Sequence, residues 1–88
     1  MKLDVYDTYV HTDEDALVHF VVLVPQGMGK HATLFVKQWL KEVGISYRSL
    51  KQENCRFCHS ELATPEIEQH IKQHGYFILQ LEGYPTPV

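Results

Sequence analysis

Leu17-Val18-His19-Phe20-Val21-Val22-Leu23-Val24, closed by Pro25, decides how this 88-residue chain folds. Its β-branched and aromatic residues suit a pleated surface, and only His19 interrupts their apolar character, so the run reads as a buried strand. Upstream, residues 2–10 carry Leu3, Val5, Tyr6, Thr8, Tyr9 and Val10 with roughly alternating polarity, the pattern of a second strand. The polar stretch His11-Thr12-Asp13-Glu14-Asp15 separates the two. A connection this short joins antiparallel neighbours, so the N-terminal quarter is a hairpin.

Downstream of Pro25, Gln26-Gly27-Met28-Gly29 is a flexible entry to a helix over about residues 30–43. Ala32, Phe35, Val36, Trp39, Leu40 and Val43 recur at three- and four-residue spacing and form one apolar face. Gly44 suits the left-handed position that ends a helix. Residues 45–50 read as a short extended piece. Thr64-Pro65-Glu66 opens a second helix: threonine caps, proline takes the first helical position, and glutamate complements the helix dipole. That helix runs to His74 and stops at Gly75. Residues 76–82, with Phe77, Leu79 and Leu81 on one face, read as a third strand. The expected fold is α+β, a two-layer sandwich in ββααβ order. A three-stranded, mostly antiparallel sheet carries two helices packed on one face, and its other face is open. One domain spans residues 1–88, with 83–88 a flexible C-terminal tail.

Composition narrows the function classes. The chain is 44% hydrophobic and 22% charged, ordinary values for a globular domain. Eight basic against eleven acidic residues give a net charge of −3 without a basic patch, which argues against nucleic acid as a partner. Phe20 to Pro25, the longest apolar run, is too short to cross a bilayer, so a membrane partner is not expected either. Met1-Lys2-Leu3-Asp4 lacks a signal-peptide pattern, and a cytoplasmic location is the expectation. There the two cysteines are reduced thiols, metal ligands or redox groups rather than a disulfide.

Those cysteines stand together in Cys55-Arg56-Phe57-Cys58-His59. A two-residue gap lets both sulfurs reach one zinc ion from a tight turn, with His59 as a further ligand. No second cysteine pair exists, so histidines or carboxylates must complete a site. His70 and His74, four residues apart on one helix face, and His19 on the second strand are the candidates; His11 and Glu61 are weaker ones. The same letters match the attachment signature of c-type haem, but that chemistry needs an export compartment. A redox dithiol is a third reading, although the motif does not follow a strand and open a helix as redox dithiols do. In the fourth reading the thiols simply pack the core, since reduced cysteine is among the most buried residue types.

Other groups carry less. Gly27-Met28-Gly29-Lys30 resembles a phosphate loop, but Val24 and His31 stand where that motif needs glycine and a hydroxyl residue. Lys30 and His31 in the first turn of the helix leave an anion site open there. Asp4, Asp7, Asp13, Glu14 and Asp15 lack calcium-loop spacing and read as a solvated hairpin end. Asp7 shares a strand face with Leu3, Val5 and Tyr9, so it needs a partner, and His19 on the neighbouring strand offers one. That pair either orients a metal-bound His19 or fixes strand register. No catalytic triad order, paired carboxylates or dinucleotide fingerprint can be assembled, and nothing names a reaction.

Asp4-Val5-Tyr6-Asp7-Thr8-Tyr9-Val10, His19-Phe20, Cys55-Arg56-Phe57-Cys58-His59, Gly75-Tyr76-Phe77-Ile78 and Glu82-Gly83 together resemble the DUF2024 family, small bacterial domains of unknown function. The resemblance spans almost the whole chain and implies a stand-alone α+β domain of about this size. It implies no activity, substrate or catalytic residue. The family pattern often closes with Glu-Gly-Cys, whereas this chain has Glu82-Gly83-Tyr84, so a third thiolate is missing here. Two functional hypotheses stand: a zinc-binding domain using Cys55, Cys58 and histidine, and a metal-free interaction module. One form of the second is a homodimer through an open sheet face or edge strand, with Tyr6, Tyr9, Tyr76 and Tyr84 as aromatics of which some are exposed; an enzyme acting through the cysteine cluster is a third, weaker reading.

Overall fold

The computed structural model describes residues 1–82; the proposed tail, with Tyr84, lies outside them. Strands β1 (Lys2–His11) and β2 (Leu17–Pro25) form the expected antiparallel hairpin, with Tyr9 opposite His19 and Val5 opposite Leu23. Helix α1 (Ala32–Glu42) follows a 3-10 turn over Gly29–His31, so the predicted first helical turn is wound more tightly. Strand β3 (Cys55–Leu62) pairs with β1, helix α2 (Pro65–His74) follows, and β4 (Phe77–Glu82) pairs with β2. The sheet is antiparallel in the order β3-β1-β2-β4.

The expected fold is corrected at three points. The sheet has four strands rather than three, because the cysteine cluster itself is a strand. The order is therefore ββαβαβ. The helices pack on opposite faces, not one. Val18, Phe20, Val22 and Val24 of β2 join Ala32, Val36, Trp39 and Leu40 of α1 in one core. Val21 and Leu23 of the same strand join Leu3, Val5, Phe77 and the α2 residues Ile67 and Ile71 in another. Alternate residues of a strand point to opposite faces, so the continuous apolar run of β2 feeds both cores. Phe20 is fully buried against Trp39, ring centres 4.8 Å apart, and truncating it to alanine would cost about 3–5 kcal/mol.

Residues 45–50 do not form a strand; a single bridge links Tyr47 to Thr12. The ends of α2 follow its sequence signals. Thr64 accepts the N–H of Ile67 at 3.3 Å, Pro65 takes the first position, and Gly75 closes the helix at φ +90°. Of the tyrosines among which exposed ones were expected, Tyr9 is exposed, Tyr6 is half-buried and Tyr76 is buried. No helix among the described residues is long and apolar enough to cross a membrane.

Candidate functional site

The cysteine cluster is the natural starting point, and strand geometry takes it apart. Cys55 lies opposite Thr8 and points to the α1 side, where it is buried with the α1 core. Burial raises its thiol pKa above the ordinary value, against the opposing pull of the Thr8 and Thr33 hydroxyls beside it. A protonated, buried thiol is neither a ready nucleophile nor a ready ligand.

The register of β3 on β1 shifts between Phe57, opposite Tyr6, and His59, opposite Val5. Cys58 is the extra residue of that bulge and is exposed, its Sγ donating only a long 3.9 Å contact to the Arg56 carbonyl. Phe57 faces the α1 side and meets Tyr6 edge-on at 5.6 Å. His59 faces the α2 side, 3.2 Å from a Glu61 carboxylate oxygen. Phe57 and His59 thus leave the strand on opposite faces, with Cys58 in the bulge between them.

The other ligand candidates lie elsewhere. His19 is bonded to Asp7, and His70 and His74 sit on α2. His11 is exposed at the end of β1. Among the described residues, no three histidine, cysteine or carboxylate side chains converge to hold a metal ion.

The glycine loop also has a structural explanation. Gly27 turns the chain at φ +88°, and its N–H donates to the Asp4 carboxylate at 3.0 Å. Asp4 simultaneously accepts the Ser60 hydroxyl at 2.7 Å. These bonds, first that from Gly27 and then that from Ser60, hold its carboxyl below the usual carboxylate range. The loop amide a phosphate would use is therefore engaged by the chain's own carboxylate. Gly29 packs against the Tyr6 ring, where a Cβ would lie 1.6 Å from the tyrosine oxygen.

What the fold does assemble lies on the α2 face of the sheet. The ten residues of α2 span about 15 Å, whereas the ten of β1 span about 33 Å, so the helix leaves part of that face uncovered. The uncovered end holds Asp7 and Tyr9 from β1, Leu17, His19 and Val21 from β2, and Leu79 from β4. His19 Nε2 is hydrogen-bonded to Asp7 Oδ1, and the imidazole stacks on Tyr9 at 4.1 Å and 8° between planes. This is the partner expected for Asp7, reached diagonally across two paired strands. Arg56 on β3 lies opposite Asp7. Tyr9, Leu17 and Leu79 are 38%, 46% and 50% exposed, a grouping of large apolar side chains around a polar centre. Sequence reasoning missed this assembly, because it depends on where α2 ends on the sheet.

A shallow cleft of about 760 Å³ opens between the end of α1 and residues 44–47, lined by Asp13, Lys37, Leu40, Lys41 and Tyr47. None of the ligand candidates lines it.

The family model of DUF2024, "Domain of unknown function", matches residues 1–81. The chain belongs to this family. The family inferred from the sequence strings is thus the one shown, and three of those strings, Asp4–Val10, His19-Phe20 and Cys55–His59, lie on β1, β2 and β3 of one sheet. The chain is also similar to the NMR structure of protein NE1680 from Nitrosomonas europaea, a Northeast Structural Genomics Consortium target. The two share 44% sequence identity over 97% of this chain and 100% of the other, with a TM-score of 0.84. No curated protein matches the chain.

Proposed function

We propose that this DUF2024 domain is an interaction module whose cysteines hold no metal, that it docks through the uncovered end of its α2 sheet face, and that its partner is a second copy of the chain. The observation that carries the proposal is the exposure of Tyr9, Leu17 and Leu79 around the Asp7–His19 pair. A two-fold contact sets the same patch against itself, so each charge must find its counter-charge within the patch. This patch carries both signs: Asp7 lies within it, and Arg56, opposite Asp7 on the edge strand β3, lies at its margin.

Pairing through the free edge of β3 is the competing route to a dimer. The bulge at Cys58 disfavours it, because a bulged edge twists away from a straight partner strand. A contact over part of one small sheet face lies at the low end of interface sizes, so the association is reversible, with a dissociation constant in roughly the micromolar range. Amide chemical shifts followed through a dilution series test the face used. Shifts centred on residues 7–9, 17–21 and 79 support it. Shifts centred on 55–62 would assign the contact to the β3 edge and overturn the reading.

A further inference from the structure

His70 and His74 are a cluster that the docking face does not use. They lie one turn apart on the same face of α2, with ring centres 4.4 Å apart and planes inclined at 36°. The His70 ring is held from behind by the Phe77 ring, edge to face at 5.2 Å and 83°. His74 is exposed.

We infer that His70 and His74 form a two-imidazole site for a divalent transition cation of the nickel or copper class, independent of both cysteines. Imidazole binds such ions at metal–nitrogen distances of about 2.0–2.1 Å, which places each ring centre about 3.2 Å from the metal. Two rings meeting at right angles on one ion are then about 4.5 Å apart, and two at the tetrahedral angle about 5.2 Å apart. The observed 4.4 Å places the two rings close enough to share one ion. Structural zinc is closed by four protein ligands, whereas nickel and copper take imidazole nitrogen together with oxygen donors in square-planar or tetragonal sites. With two protein ligands the remaining positions fall to water or a small external ligand.

Calorimetric titration of nickel(II) into the full chain tests the site, nickel being chosen because it does not oxidise thiols. One nickel per chain is expected. His70→Asn and His74→Asn should each weaken binding at least tenfold, and the double variant Cys55→Ser/Cys58→Ser should bind within about twofold of the parent. Paramagnetic broadening should centre on residues 70–77. Unchanged binding in the histidine variants, loss of binding in the cysteine variant, no saturable binding by the parent, or broadening centred on another histidine would each overturn the assignment.

Discussion

The Asp4 carboxylate on β1 accepts the Ser60 hydroxyl of β3 at 2.7 Å while its other oxygen accepts the Gly27 N–H at 3.0 Å. One buried acid therefore ties an edge strand and the turn after β2 to the strand between them. Hydrogen bonds to a charged group contribute about 1.5–3 kcal/mol, and Asp4→Ala should destabilise the domain by about 2 kcal/mol. The folded carboxyl sits below its usual range, so its contribution is fully present above the unfolded carboxylate pKa of about 3.9 and is lost as pH falls through the folded value. Urea unfolding followed by the fluorescence of the single tryptophan, Trp39, should show a parent–variant gap that is constant from neutral pH to about pH 5 and narrows below about pH 4. A gap of the same size at pH 3 would remove the charge from the explanation.

Gly29 and Tyr6 make a second, steric prediction. A methyl group at position 29 would fall 1.6 Å from the Tyr6 oxygen and 2.4 Å from its ring carbon, so the ring must move. Gly29→Ala should cost about 1–3 kcal/mol by overpacking. In the Tyr6→Leu background, which removes the obstructing ring end, the same substitution should cost less than half as much. Equal costs in both backgrounds would show that Gly29 is needed for another reason.

The two thiols should behave differently. Native protein should give one fast-reacting thiol, Cys58, while Cys55 reacts at least about a hundredfold more slowly, at the rate at which the core opens. Cys58→Ser should eliminate the fast phase and change stability by no more than about 0.5 kcal/mol. Two thiols of equal rate in folded protein would contradict the burial of Cys55.

These features were unequally legible in the sequence. The hairpin and α2 could be read because their signals are local: alternation in β1, the Thr64-Pro65 start and the Gly75 stop. β3 could not. Cys55 is its one buried residue, and an edge strand that buries almost nothing leaves no hydrophobic alternation to detect. Reading Cys55 to His59 as a turn made the two thiols neighbours on one side; as a bulged strand the segment sends them apart. The opposed helices did leave a trace in the unbroken run Phe20 to Val24, which marks a strand covered on both sides. Asp4 showed no sign of its role, because its partner Ser60 lies 56 residues away. The Asp7–His19 pair was legible, since hairpin register alone brings those two together.

Sedimentation equilibrium over a range of concentrations tests whether two copies meet through the open end of the α2 sheet face. The monomer mass is 10.2 kDa. The parent should shift reversibly toward twice that mass, with a dissociation constant in roughly the micromolar range. Leu79→Asp and Tyr9→Ser, at side chains already 50% and 38% exposed, should keep the parent's unfolding transition and weaken the association at least tenfold. A parent protein that stays at the monomer mass at every concentration, or a dimer that both substitutions leave intact, would contradict the account.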